Sequence, residues 1–162
     1  MTDENEDLHD LLNSAYFYLK FRPRTEWEIR KHLNKKTERR HWSRDLVKKG
    51  IEHLKERGFI DDKEFIRLFV ESRNSGKPKS AFVLTQELIR LGIIKELIDE
   101  YFVQKPQPEE ELAMKALLPR WRRFSHLSKQ ARFQKASAFL YRRGFSFDIS
   151  KETIKALEEQ YP

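Results

Sequence analysis

The sequence predicts an all-α fold made of three tandem three-helix repeats that form an elongated, curved molecule. Apolar residues recur at helical spacing, and β-branched residues alternate nowhere along the chain. Only 5 of the 162 residues are glycine and 6 are proline. These residues, together with Ser, Thr and Asp caps, divide the chain into nine segments whose order repeats three times. Each repeat in such an array contacts mainly its neighbours, so we expect an extended body.

The first repeat is predicted over residues 10–60. It follows an acidic stretch, residues 1–9, that we expect to be disordered. Its first helix begins at Asp10 and ends before Pro23, because proline disfavours a helical conformation in the residue that precedes it.

Capping signals place the next two helices of this repeat. Thr25 and Glu28 have the spacing of a capping box, in which each side chain binds a free amide of the helix start. Residues 34–42 are polar and basic, and we expect them to form a connection. Ser43 is the predicted N-cap of the third helix, and Gly58 is its predicted left-handed C-cap.

The second repeat is predicted over residues 61–105. Asp61 starts its first helix, and Ser80 caps its second, which ends at Gly92. From Ile94 onwards the apolar residues follow the i, i+3, i+4, i+7, i+8 spacing of an amphipathic helix.

The third repeat is predicted over residues 106–162. Its first helix has three acidic residues in the first turn, as the helix dipole favours, and should end at Pro119. Ser128 and Ser150 are the predicted caps of the last two helices, and Gly144 should stop the first of these.

Composition excludes several classes of protein. There is no cysteine, so disulfides, thiolate metal sites and cysteine nucleophiles are ruled out. No apolar run approaches the roughly 18 residues of a membrane span, and the N-terminus is acidic, opposite to a secretory signal. We therefore expect a cytoplasmic protein without membrane contact. A monomer is also expected, since no heptad pattern or dimer arm is present.

The sequence contains no constellation typical of catalysis. Its five histidines are scattered, with no pair at metal-ligand spacing in one helix. Asp61 and Asp62 are better interpreted as helix caps than as acid–base carboxylates. Residues 76–79 lack the second glycine and the Lys-Ser/Thr ending of a phosphate-binding loop. We predict a protein that is not an enzyme and needs no cofactor or metal.

Positive charge is concentrated in two blocks. Residues 20–57 hold 14 basic and 6 acidic side chains, and residues 112–150 hold 9 basic and 1 acidic, within a net charge of +7. Blocks of this kind indicate a polyanionic partner, nucleic acid first, although a solvated Lys/Arg face is the simpler alternative. The candidate contact residues are Arg22, Arg24, Arg30, Lys31, Arg39, Arg40, Lys48, Lys49, Arg120, Arg122, Arg123, Arg142 and Arg143.

Trp42 lies beside Arg39 and Arg40, and Trp121 lies among Arg120, Arg122 and Arg123. Guanidinium groups beside exposed rings suit phosphate contact and base stacking. Taken singly, however, each tryptophan is better interpreted as a core residue. Charge reversal at Arg39, Arg40, Lys48 and Lys49 is expected to weaken partner binding with little loss of fold.

Three sets of motifs follow one another along residues 10–157. The first set is Ala15, Leu19, Arg22, Thr25, Glu28 and Leu33. The second set is Gly58-Phe-Ile-Asp-Asp62, Phe65, Phe69, Arg73, Leu88, Gly92 and Ile93. The third set is Phe139-Leu140 with Arg142-Arg-Gly-Phe145. In order and spacing, these motifs resemble those of the RecX family of recombinase regulators. One departure is Ser80, where the family usually has glycine before its fifth helix, and this leaves the contacts of that loop open.

The resemblance implies a modulator of RecA recombinase. Such proteins bind the RecA nucleoprotein filament, lie along its helical groove, and inhibit ATP hydrolysis and strand exchange. An alternative is a direct DNA-binding protein of helix-turn-helix type, because three-helix units resemble that fold. Single- and double-stranded DNA are therefore further candidate partners. A structural scaffold without a nucleic-acid role is a third option.

Overall fold

The computed structural model describes residues 3–162, and within this range the chain forms nine α-helices, one 3₁₀ turn at Arg122–Phe124 and no β-strand. The helices are α1 Glu4–Leu19, α2 Glu26–Arg40, α3 Arg44–Glu56, α4 Asp62–Ser75, α5 Ala81–Arg90, α6 Lys95–Gln104, α7 Glu109–Trp121, α8 Lys129–Arg142 and α9 Phe147–Gln160. The all-α prediction is confirmed. None of these helices combines the length and apolar character that crossing a bilayer requires.

The helices belong to two compact units. One unit contains the chain up to Arg67 together with Leu88–Ile98, and the other contains Leu68–Glu87 and Asp99–Pro162. Helices α1–α3 lie wholly in the first unit and α7–α9 wholly in the second, whereas the boundaries pass through α4, α5 and α6. The thirteen candidate contact residues lie within or beside the helices α1–α3 and α7–α9.

Large apolar side chains from α1, α2 and α3 form the core of the first unit. Its buried members are Leu11, Ala15, Ile29, Leu33, Trp42, Leu46, Val47, Ile51, Leu54 and Ile60. Most of them recur three or four residues apart, so each helix buries one stripe. Trp42 is only 7% exposed, which confirms its interpretation as a core residue.

A second core lies among α7, α8 and α9. It contains Leu112, Ala113, Ala116, Leu117, Trp121, Ala136, Phe139, Leu140, Phe145, Ile154 and Leu157. Trp121 is 3% exposed, so its ring belongs to this core and is not a surface for base stacking. The same core holds Phe139, whose ring is approached by two arginines described below.

Side-chain caps confirm most of the predicted helix starts. The Thr25 hydroxyl accepts from the Glu28 amide at 3.2 Å, and the Glu28 carboxylate accepts from the Thr25 amide at 3.0 Å, which completes the capping box. Ser43 and Ser128 likewise cap α3 and α8. The Ser150 prediction is wrong: Ser146 caps α9, and Ser150 is buried inside that helix.

Asp61 and Asp62 each cap the start of a helix. The Asp61 carboxylate accepts from the Glu64 amide at 3.1 Å, at the start of its own helix. The Asp62 carboxylate accepts from the Glu26 amide at 2.9 Å and so caps α2. Burial, the largest cause, raises the pKa of Asp62. The capping interpretation of these two residues is confirmed.

The structure corrects the N-terminal prediction. Helix α1 begins at Glu4, after Asp3 as N-cap, not at Asp10. The expected disorder of residues 1–9 is therefore wrong from Asp3 onwards, and residues 1–2 lie outside the described chain. Three acidic residues in the first turn favour a helix start here, because they oppose the positive end of its dipole.

Two helices continue beyond their predicted ends. Helix α2 includes most of the polar stretch 34–42 and ends at Arg40, with His41 in the left-handed conformation at φ 57°. Lys, Glu and Arg have high helix propensity, which offsets the lack of buried residues there. Helix α7 passes through Pro119 to Trp121. Pro119 is exposed, so the carbonyl that loses its amide donor can bind water.

The loop that carries Ser80 is fixed by contacts inside the second unit. The Ser80 amide donates to the Arg143 carbonyl at 2.9 Å, and its hydroxyl accepts from the Val83 amide at 3.3 Å. Ser80 is 3% exposed. The serine thus keeps the predicted cap role and ties the start of α5 to the end of α8.

Candidate polyanion-binding surfaces

The thirteen basic candidates divide by whether they have an acidic partner. Those that form an ion pair are Arg22, Arg24, Arg30, Arg40 and Lys49. Those without a carboxylate partner among residues 3–162 are Lys31, Arg39, Lys48, Arg120, Arg122, Arg123, Arg142 and Arg143. An unpaired cation keeps its full charge for a partner, so the second group is the stronger set of candidates.

Arg22 and Arg24 serve the fold of the first unit. Arg22 forms a bidentate pair with the Glu28 carboxylate, at 2.5 and 3.2 Å. The Arg24 guanidinium lies 3.7 Å from the same carboxylate and 4.0 Å from the centroid of the Tyr18 ring. Arg24 is only 14% exposed. These two arginines therefore hold the start of α2 in place and are poorly available to a partner.

The charge of Glu28 makes this arrangement sensitive to acid. Burial raises the pKa of Glu28, but hydrogen bonds from Arg22 and the Thr25 amide, with the charge of Arg24, outweigh it and lower the pKa below its usual value. A carboxyl with a depressed folded pKa stabilises the fold above its unfolded pKa, near 4.3, and loses that contribution as pH falls further.

We therefore expect Glu28→Gln to reduce the free energy of unfolding by about 1–3 kcal/mol at pH 7, because glutamine keeps an acceptor but loses the charge. Below the unfolded pKa the unfolded chain takes up a proton more readily than the folded Glu28 carboxyl does, so the stability difference between parent and variant should be smaller at pH 3. Urea unfolding at both pH values measures this. Glu38→Gln, at an exposed position on the same helix, is the control. If Glu28→Gln lowers the free energy of unfolding equally at both pH values, the charge of Glu28 does not stabilise the fold.

Acidic residues of α1 neutralise part of the α2–α3 surface. Lys49 is hydrogen-bonded to the Glu4 carboxylate, which raises the pKa of Lys49 and lowers that of Glu4. Arg40 lies 3.7 Å from the Asp10 carboxylate. Arg39 and Lys48 are exposed, and neither has a carboxylate partner in the part of the chain that the structure describes. Half of this predicted cluster is thus paired, because the N-terminal segment is helical and reaches it.

Arg30 and Lys31 also differ from each other. The Arg30 guanidinium donates to the Glu26 carboxylate at 2.9 Å. The Lys31 ammonium lies 4.8 Å from the centroid of the Trp27 ring, and Trp27 is 44% exposed. A cation over an exposed ring remains available to solvent and to a partner.

Two arginines of the second unit approach one aromatic ring, and a third follows beside them in the chain. The guanidinium carbons of Arg120 and Arg143 lie 4.8 and 5.0 Å from the centroid of the Phe139 ring. Arg143 also donates to the Pro78 carbonyl at 3.3 Å. Burial, and after it the charges of Arg120 and Arg142, lower the pKa of Arg143. We call Arg120, Arg142 and Arg143 the arginine cluster.

The arginine cluster has the character of an anion-binding site. None of its three members has a carboxylate partner in the described chain. Like charges held this close repel one another, and an anion between them relieves the repulsion. Planar guanidinium groups also bind phosphate and carboxylate oxygens in pairs. Arg120 reaches the cluster because α7 continues through Pro119.

Comparison with known proteins places the chain in a family. Residues 61–101 match a model of the second three-helix domain of RecX, and residues 108–154 match a model of its third three-helix domain. A regulatory protein RecX of Chlorobium phaeobacteroides is 32% identical over 127 residues, covering 77% of this chain and 81% of that protein. The chain belongs to the RecX family.

Other RecX proteins extend the comparison. One from Bacillus cytotoxicus is 26% identical over 157 residues, and the match spans 96% of this chain but only 57% of that protein. A crystal structure of RecX from Lactobacillus salivarius superposes with a TM-score of 0.79 at 22% identity, covering 95% of this chain and 98% of that one. A second crystal structure of a regulatory protein RecX gives 0.73 at 27% identity, covering 93% and 73%.

RecX membership supports two predictions made from the sequence. The matched family domains are three-helix units in tandem, as the repeat pattern predicted. The relatives are named as regulatory proteins, which agrees with the prediction that the chain is not an enzyme.

Sequence reasoning missed three lysines of this RecX-family chain. Lys129, Lys151 and Lys155 line a cavity beside α8 and α9, and none has a carboxylate partner among the described residues. One signal was available: Lys151 and Lys155 are four residues apart on α9, and like charges at this spacing repel each other on a helix. Such an arrangement indicates a face that meets negative charge.

Proposed function

We propose that this RecX-family protein binds the RecA nucleoprotein filament and inhibits its ATP hydrolysis and strand exchange. Membership in a family of regulatory proteins supports a regulatory role. The arginine cluster supports a polyanionic target, because three guanidinium groups without carboxylate partners suit the phosphates of filament-bound DNA. The unpaired Arg39 and Lys48 supply a second positive surface, on α2 and α3.

The observation that carries the proposal is the difference between paired and unpaired arginines. Arg22, a residue of the first family signature, and the nearby Arg24 both pair with the Glu28 carboxylate. Arg142 and Arg143 of the last signature have no carboxylate partner within the described range 3–162. The unpaired residues cost the fold electrostatic energy, and binding of a polyanion recovers it.

A titration of this protein into RecA preassembled on single-stranded DNA tests the proposal. ATP hydrolysis is followed at two salt concentrations, with RecA and DNA at saturating stoichiometry. We expect hydrolysis to fall as protein is added, and the fall to be smaller at high salt. The same titration with excess bare DNA separates the filament from DNA as the target.

Either result of this titration is informative. Inhibition that persists in excess bare DNA supports the filament as the target. Absence of inhibition, or complete relief by bare DNA, contradicts the regulator proposal for this chain. Relief by bare DNA would favour the second candidate, a direct DNA-binding protein, which the arginine cluster and the three-helix set α7–α9 also suit.

A further inference from the structure

A cavity of about 600 Å³ opens beside α8 and α9. None of the residues that line it belongs to the arginine cluster. Its lining residues are Lys129, Arg132, Phe133, Lys151, Ile154, Lys155, Glu158, Glu159 and Pro162. This volume lies within the range of known ligand sites, about 300–1,000 Å³. The proposed filament binding does not involve it, so the cavity needs its own explanation.

Two apolar side chains and an internal ion pair form the inner part of the cavity lining. Ile154, which is 2% exposed, lies at its base, and the half-buried Phe133 lies beside it. Arg132 and Glu158 form a bidentate pair at 3.0 and 2.8 Å, with 13% and 15% exposure. Because this pair is satisfied internally, it shapes the wall and contributes little net charge.

The rim of the cavity carries a net positive charge. Lys129 is the first residue of α8, and Lys151 and Lys155 are one turn apart on α9. All three are exposed and lack a carboxylate partner in the described chain. Glu159 is the remaining unpaired acid of the lining. The rim therefore attracts negative charge, while the base attracts an apolar group.

These features select one kind of ligand. Residues four apart on a helix place their Cβ atoms about 5–6 Å apart, close to the roughly 6.6 Å between alternate residues of an extended peptide. Alternate carboxylates of such a peptide can thus meet Lys151 and Lys155 together. A nucleic-acid backbone fits less well, because its continuous phosphates offer no apolar side chain to fill the base formed by Phe133 and Ile154.

We propose that this cavity binds an acidic peptide segment of a protein partner, with carboxylates on the lysine rim and an apolar side chain seated against Phe133 and Ile154. The recognition combines long-range attraction with burial of one apolar anchor. It is independent of the arginine cluster and of filament binding.

Fluorescence anisotropy with short labelled peptides tests this directly. The first probe alternates glutamate with small residues around a central phenylalanine; the second replaces its glutamates with glutamine, and the third replaces its phenylalanine with alanine. A labelled oligodeoxynucleotide of equal charge is the fourth probe. We expect the first probe to bind more tightly than the other three.

Variants of the full chain locate the binding. Lys151→Glu with Lys155→Glu should weaken the first probe by roughly tenfold or more, because attraction becomes repulsion at both positions. Lys105→Glu with Lys135→Glu makes the same charge change at exposed positions outside the cavity lining and should leave binding unchanged. Both pairs are exposed, so circular dichroism should show an intact fold.

Three outcomes overturn the proposal. They are no binding of the first probe, equal weakening by the Lys105 and Lys135 control, and binding of the oligodeoxynucleotide at this rim as tight as that of the peptide. The last would make the cavity part of a nucleic-acid surface. Failure of filament inhibition leaves the peptide result unaffected, because the probes contain neither RecA nor DNA.

Discussion

Reversing the charge of Arg120 and Arg142 is expected to raise the concentration needed for half-inhibition of the RecA filament by roughly tenfold or more. Both side chains are exposed and lack carboxylate partners among the residues from Asp3 onwards, which the structure describes. A glutamate at each position turns attraction for phosphate into repulsion. Arg143 stays unchanged in this variant, because it is half-buried and its hydrogen bond to the Pro78 carbonyl contributes to the fold.

The salt dependence of binding identifies the group that meets the arginine cluster. If it contacts DNA phosphates, the slope of log affinity against log salt should become shallower by about 0.7 for each lost contact to a single strand. Anisotropy with labelled filament at several salt concentrations measures this slope.

The exposed pair Lys105 and Lys135, reversed to glutamate, provides the same change in net charge elsewhere. Equal losses for the two double variants would mean that only total charge matters, and the arginine cluster would lose its assignment as the contact site.

Local signals in the sequence predicted most of the fold. Apolar stripes, side-chain caps and the glycines at helix ends placed nine helices, and Gly58, Gly92 and Gly144 all have positive φ, at 76°, 81° and 86°. These signals succeed because each acts within one helical turn of its residue.

The missed helix ends have a different cause. The extension of α7 past Pro119 depends on burial of Trp121 in a core that α8 and α9 complete. Burial of an aromatic ring offsets the loss of one helical hydrogen bond at an exposed proline. Such compensation depends on residues distant in sequence, and a local rule about proline does not include it.

The sequence indicated the candidate contact residues as a group, but not which of them have an acidic partner. Composition identified the basic blocks, but their pairing depends on which acids the fold brings near. Glu28 forms an ion pair with Arg22, six residues away in the sequence. Glu4 pairs with Lys49, which is 45 residues away. The same fold leaves Arg120, Arg142 and Arg143 without a carboxylate partner among residues 3–162. Tertiary structure thus separates arginines that stabilise the chain from those free to bind a partner.

Substitution of Gly144 by alanine is expected to destabilise the protein by about 2–4 kcal/mol. At φ +86° a non-glycine residue is strained. A Cβ atom at this position would also lie 2.3 Å from both the Ser80 hydroxyl oxygen and a methyl carbon of Val83. Those atoms belong to the start of α5, so the added methyl would push α5 away from the end of α8.

Two other glycines separate the causes of this loss. Gly58 has φ +76°, and a Cβ atom added there would have no other atom within 4 Å, so Gly58→Ala should show backbone strain alone, about 1 kcal/mol. Gly76 has no positive φ and an ordinary contact at 3.4 Å, so Gly76→Ala should be nearly neutral. Urea unfolding followed by circular dichroism gives all three values.

The turn at Gly144 also has a functional consequence. Arg143 precedes Gly144, and its carbonyl accepts from the Ser80 amide. Displacing this turn should therefore also disturb the arginine cluster, and Gly144→Ala should weaken filament inhibition even where the protein remains folded. Gly58→Ala, on the first unit, should leave inhibition unchanged. If Gly144→Ala lowers the free energy of unfolding no more than Gly58→Ala does, the close approach to Ser80 and Val83 does not constrain the fold. In that case this turn does not position the arginine cluster.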